Sequence, residues 1–144
     1  MSDIVWAINP QKDHLSDLVH RMRSLASDLF AASGTQFIFN APPAGQNLSL
    51  GANLRREIFL ILKEALNNIV KHAAAQRVRI ELRVDQRQLF LQISDNGKGF
   101  NVADEKEGHG LLSMKSRSRD IGANFECTSV AGEGSIVTLR VPLR

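Results

Sequence analysis

The sequence predicts a two-layer α/β sandwich, with helices on one face of a mixed, mostly antiparallel sheet. Two long segments carry apolar residues at helical spacing, and most period-two segments fall in neighbouring pairs joined by short turns. The chain has 144 residues, 43% hydrophobic and 23% charged, which suits one globular domain with a buried core.

Taken in order, Ile4-Val5-Trp6-Ala7-Ile8 is a short apolar segment closed by Pro10. Leu15, Leu18, Val19, Met22, Leu25, Ala26 and Leu29 then recur as on one face of a helix, with Asp13 as N-cap and Gly34 as stop. Thr35 to Phe39 reads as a strand, and Pro42-Pro43 opens a loop running to about Gly51. The second long helix is expected from Asn53 to Ala74. Its core face would hold Ile58, Phe59, Leu62, Ala65, Leu66, Ile69, Val70 and Ala73, and its polar face Glu57, Glu64, Asn67, Asn68 and Lys71.

Val78, Ile80, Leu82 and Val84 alternate with charged residues, and Leu89, Leu91 and Ile93 follow after a turn at Asp85-Gln86. Together they form a hairpin with one buried face. Asp95 to Gly110 holds four glycines and almost no apolar residue. A third helix is expected over Leu111–Ile121, ending at Gly122. Two last strands follow, Phe125–Val130 and Ile136–Val141, joined by Ala131-Gly132-Glu133-Gly134.

Several classes of function drop out. No apolar run approaches the roughly 18 residues of a membrane span, and the N-terminus lacks the basic and apolar regions of a secretory signal. A single cysteine, Cys127, excludes an internal disulfide and multi-cysteine metal sites, and reads as a small core residue. The formal charge of +3 is spread along the chain without a basic cluster, so nothing points to nucleic acid. His14 and His20, on the first helix, read as solvated or satisfied histidines. Phosphate loops, dinucleotide glycine motifs, the His-Arg-Asp catalytic loop and the His-Glu-x-x-His motif are all missing.

Three segments carry candidate chemistry. Glu64, Asn68 and Lys71 project together from the second helix. A solvated face is the plain alternative, but two asparagines in mid-helix are poor helix formers. An amide oxygen is a suitable hard ligand for Mg²⁺, and Lys71 can meet phosphate as a point charge. Asp95-Asn96-Gly97-Lys98-Gly99-Phe100 comes directly after a strand. It can be a hairpin turn, or a carboxylate placed to accept from an exocyclic amine such as that of adenine, with glycines allowing close approach. Gly108-His109-Gly110-Leu111 opens a helix, where free backbone N–H groups make an anion site. The polar stretch Asn101–Glu107 before it suits a lid.

In this order and spacing, the three segments resemble the ATP-binding domain of the GHKL superfamily (gyrase, Hsp90, histidine kinases). Leu62 to Ala73 resembles its N box, Asp95–Phe100 and Gly108–Leu111 its two glycine boxes, and Gly132-Glu133-Gly134-Ser135 its closing glycine turn. The resemblance covers most of the chain from Asn53 onward and implies a Bergerat-type fold that binds ATP with Mg²⁺. It places Asn68 on the metal, Lys71 and His72 near ribose or phosphate, and Asp95 on the adenine amine. Gly97 and Gly99 would shape the pocket, with Ser135 near adenine. Gly108, His109, Gly110 and Leu111 would bound the lid and face phosphate. Glu64 occupies the position that activates water in the ATPase members, and is the candidate catalytic residue.

The short lid and the opening Asp3–Pro10 resemble sensor histidine kinases of two-component systems. The resemblance implies that residues 1–12 are a linker and 13–144 the catalytic domain. The γ-phosphoryl group would pass to a histidine of a separate dimerisation domain, and from there to a response regulator. No phosphoacceptor context surrounds His14 or His20. Serine kinases of the anti-sigma-factor type and a non-catalytic ATP-gated interaction module are the alternatives. The expected compartment is the cytoplasm, with no membrane contact by this domain, whether or not the parent is anchored in the inner membrane.

Overall fold

The computed structural model describes residues 14–42, 49–85, 87–99 and 110–143. The segment 1–12, Asp13, Phe100, the stretch Asn101–Glu107, Gly108 and His109 lie outside the described residues.

Helix α1, Leu15–Ser33, buries Leu15, Leu18, Met22, Ala26 and Phe30 at three- and four-residue spacing. Gly34 ends it in the left-handed conformation, φ 73°, and donates its N–H to the Phe30 carbonyl at 3.0 Å. Glycine meets little steric resistance there. Strand β1, Gln36–Asn40, comes next; its inward Phe37 ring lies 5.6 Å from that of Phe30.

Helix α2 spans Ala52–Asn68 and passes directly into a π-helical turn, Ile69–Ala73, capped by Ala74 at φ 50°. The expected helix over Asn53–Ala74 is therefore present, but its last turn is not α. A π turn takes more residues per revolution and so rotates the facing of every residue beyond it. Ile69 and Ala73 stay buried, whereas Val70, assigned to the core face, is 40% exposed. Glu57 is a second correction. Expected on the polar face, it is 3% exposed, and its carboxylate accepts from Arg117 and Arg56. The deep core also contains Ile61, which the arc left out.

Strands β2, Arg77–Val84, and β3, Gln88–Asp95, form the expected hairpin. Asp85 Oδ1 organises its turn by accepting from the N–H groups of Arg87 and Gln88, both at 2.8 Å. Helix α3, Leu111–Asp120, then leads to the hairpin of β4, Asn124–Val130, and β5, Gly134–Pro142.

The sheet order is β1-β2-β3-β5-β4. β1 runs parallel to β2 and every other pair is antiparallel, which is the mixed, mostly antiparallel sheet expected. Val78, Ile80, Leu82, Leu89, Leu91, Ile93, Val137, Leu139 and Val141 form the buried face, beneath the apolar stripes of the helices. Each such side chain, removed from water, contributes about 2 kcal/mol. The opposite face is polar. There Phe90 lies between two guanidinium groups, Arg83 at 4.4 Å and Arg140 at 5.4 Å from its ring centre. Among the described residues no helix is long and apolar enough to cross a membrane.

Candidate functional site

The site forms where the C-terminal end of β3 meets the end of α2. Asp95 is the last residue of β3 and sits opposite Ser135 on β5. Its Oδ1 accepts from the Gly97 N–H at 2.8 Å, and its Oδ2 from the Ser135 hydroxyl at 2.6 Å. Both oxygens are thus held from the protein side, and the orientation of the carboxylate is fixed before any ligand arrives.

The residues after Asp95 are clamped on both flanks. Lys98 donates its N–H to the Ala73 carbonyl at 2.7 Å, and its own carbonyl accepts from the Gly132 N–H at 2.6 Å. Asn96 Oδ1 accepts from the N–H groups of Gln76 and Arg77 at 3.0 and 2.9 Å. The run therefore fastens the π turn on one side to the β4–β5 turn on the other, rather than closing a hairpin. Close approach explains its glycines. A Cβ at Gly97 would run into the Ala73 carbonyl, and one at Gly99, where φ is 67°, into that of Val130.

Asn68, His72, Asp95, Gly99, Leu111 and Ser135 line one cleft. Its apolar wall includes Ile93, Met114 and Val137. The lining, largely apolar with a few oriented polar groups, suits a small organic ligand. Of the expected site residues, these six come together. Lys71 is exposed and outside the cleft lining. Gly97 shapes the cleft through its contact with Ala73, which lines it.

Glu64 also lies outside the lining but close by. It packs against Gly110, where a Cβ would collide with its carboxylate. Gly110 has φ 67° and precedes Leu111, the first residue of α3 and part of the cleft wall. Gly108 and His109, expected to face phosphate, are not among the described residues.

Cys127 is half-buried against the edge of the core and also lines the cleft. Desolvation, the largest cause, together with the negative charge of Asp95, pushes its thiol up to about 11 against an opposing effect of Lys115. Its position was legible in the parity of β4. Phe125, Cys127 and Ser129 alternate with exposed residues, and the register sets Cys127 opposite Val137 and Ser129 opposite Ser135.

The family model described as "Histidine kinase-, DNA gyrase B-, and HSP90-like ATPase" matches residues 53–144. The sensor histidine kinase LiaS of Bacillus subtilis is 36% identical over 99 residues, covering 68% of this chain and 28% of that protein. The sensor protein VraS of Staphylococcus aureus is 36% identical over 100 residues, again 68% and 28%. The chain thus spans about a quarter of the length of these relatives. Among solved structures, the histidine kinase domain of the Erythrobacter litoralis EL346 blue-light activated histidine kinase aligns with a TM-score of 0.72 at 21% identity. That alignment covers 88% of this chain and 61% of that one. The catalytic domain of histidine kinase ThkA gives 0.70 at 13% identity, over 89% of this chain and 91% of that one. At such identities the structural likeness concerns the fold, while the family rests on the sequence match. Fold, motif order and that match agree, and the chain belongs to the histidine kinase-, DNA gyrase B- and HSP90-like ATPase family.

Proposed function

We propose that this chain is the catalytic domain of a sensor histidine kinase. It binds Mg·ATP in the cleft beside Asp95 and passes the γ-phosphoryl group to a histidine on a separate dimerisation domain of the same parent. A response regulator then takes the group from that histidine. The observation that carries the reading is the Asp95 carboxylate, held by Gly97 and Ser135 at one end of a cleft whose wall also bears Asn68 and His72.

In this reading Asp95 accepts a hydrogen bond from the exocyclic amine of adenine, and Ser135 keeps the carboxylate turned toward it. Gly97 and Gly99 shape the pocket by letting the turn after Asp95 pack closely on Ala73 and Val130. The sugar and phosphates run toward Asn68, His72 and Lys71, past Gly110 and Leu111 at the start of α3. The backbone amides near Gly110 face phosphate there. The Asn68 amide oxygen fits Mg²⁺, a hard cation that takes one or two protein oxygens and shares phosphate oxygens. Bound Mg²⁺ supplies charge neutralisation on the phosphates.

Phosphoryl transfer is mainly positioning and charge stabilisation. An imidazole nitrogen of the acceptor attacks the γ-phosphorus, the bond to the β–γ bridging oxygen breaks, and ADP leaves. Glu64, beside Gly110, orients the incoming imidazole or takes its proton.

Calorimetric titration with ATP, with and without Mg²⁺, tests the binding half. Binding should be metal-dependent in the wild type, lost in Asp95→Ala, and uncoupled from Mg²⁺ in Asn68→Ala. Adding the acceptor domain tests the transfer half, with acid-labile, base-stable phosphohistidine as the expected product. Wild-type binding without phosphohistidine would replace the kinase with a nucleotide-gated docking module.

A further inference from the structure

Glu57 and Arg117 stand outside the cleft, yet they connect the two helices that build it. Arg117 Nη1 lies 3.1 and 3.2 Å from the two Glu57 oxygens, and Arg56 Nη2 donates to the same carboxylate at 3.1 Å. The Glu57 side chain is 4% exposed, whereas those of Arg117 and Arg56 are 36% and 39% exposed. A buried carboxylate in charge-assisted bonds holds direction as well as distance.

The spacing gives the pair its meaning. Glu57 and Glu64 are seven residues apart on α2, two turns, and so project from the same face. Arg117 and Gly110 are also seven residues apart, at the two ends of α3. Glu57 meets Arg117, and Glu64 meets Gly110. The helices therefore run antiparallel and are fixed at two points about 10 Å apart. At one point there is an ion pair. At the other, the Glu64 carboxylate packs into the space that a Cβ on Gly110 would take. Between them α3 turns Leu111 and Met114 into the cleft.

We propose that Glu57 and Arg117 are positioning residues for the nucleotide site. Their ion pair fixes the rotation and slide of α3 against α2. It thereby sets where Gly110 stands beside Glu64, and where Leu111 and Met114 stand against the ligand. An apolar pair of similar size would fill the same space without fixing direction, which is why stability and positioning are separable here. The inference rests on nucleotide binding in this cleft.

The test compares wild type, Arg117→Lys and the double variant Glu57→Leu/Arg117→Met. ATP affinity is measured by calorimetry with Mg²⁺, at a temperature where each remains folded by circular dichroism. The double variant should keep a melting temperature near that of wild type yet bind ATP about tenfold more weakly. Arg117→Lys, which restores charge without the planar fork, should fall between the two. Wild-type ATP affinity in a folded double variant would overturn the proposal. If that variant does not fold, unchanged affinity in Arg117→Lys overturns it instead. Absence of ATP binding by the wild type would sink the nucleotide-site reading, and this inference with it.

Discussion

Ser135 donates a 2.6 Å hydrogen bond to Asp95 Oδ2 from the strand position directly opposite it. The bond joins two β-strands at the point where the sheet ends and the cleft begins. It gives Ser135 a role in orienting the carboxylate, separate from any contact of its own with a ligand. Ser135→Ala leaves Oδ1 held by Gly97 and releases Oδ2. ATP affinity should fall about fivefold, the worth of one ordinary hydrogen bond, and Ser135→Thr should retain it. Asp95→Asn removes the charge and replaces one acceptor atom with a donor, so its loss should exceed that of Ser135→Ala. Calorimetry on the three variants checks this order. Equal affinities for wild type and Ser135→Ala would remove Ser135 from the site.

The glycines near the site differ in kind, and substitution can separate the kinds. Gly99 and Gly122 both have φ 67°, but a Cβ at Gly99 would strike the Val130 carbonyl whereas one at Gly122 meets open space. Gly122→Ala should cost about 1 kcal/mol, the left-handed strain alone. Gly99→Ala adds a collision with backbone and should cost more than about 2 kcal/mol. Urea unfolding of the two variants distinguishes them. Equal costs would mean that the chain around Val130 relaxes freely.

Much of this arrangement was legible in the sequence. The helix faces, the β2–β3 hairpin and the stop at Gly34 come from periodicity and turn residues, and the convergence of Asn68, His72 and Asp95 from the family resemblance. Two features were hidden for physical reasons. Glu57 shares a helix face with Glu64, and its burial depends on Arg117, sixty residues away, which no local pattern reports. The π turn after Asn68 leaves the apolar spacing nearly unchanged over five residues, so only the outward Val70 betrays it. Lys71 shared the polar arc with Asn68 by α-helical angles, and within the π turn it falls outside the cleft lining.

That turn ends at Ala74, the one non-glycine residue with positive φ among those described, at 50°. An L-residue there carries roughly 1 kcal/mol of strain. Ala74→Gly should relieve part of it, against the entropy that glycine gains in the unfolded chain. The expected result is a gain of up to about 0.5 kcal/mol in urea unfolding. A clear loss of stability would mean that the Ala74 methyl group contributes packing that outweighs its strain.

Cys127 reports on the cleft through its thiol. Burial, the largest cause, pushes it up to about 11 from an ordinary value of 9.0. The folded state therefore holds this proton more tightly than the unfolded chain does. Below pH 9 the thiol is protonated in both states, and its contribution to stability is present in full. As the pH rises from 9 towards 11 the unfolded chain ionises first, so the contribution is lost through that window. Cys127→Ser should flatten this part of the stability curve. Reactivity has the same sign, because the thiolate is the nucleophile. At pH 8 iodoacetamide should alkylate Cys127 about 100-fold more slowly than the denatured chain, with the rate rising about tenfold per pH unit. Since Cys127 lines the cleft beside Asp95, saturating ATP should slow alkylation further. Mass spectrometry over time tracks both effects. Alkylation that ATP leaves unchanged would place the nucleotide away from the Met114–Cys127 wall.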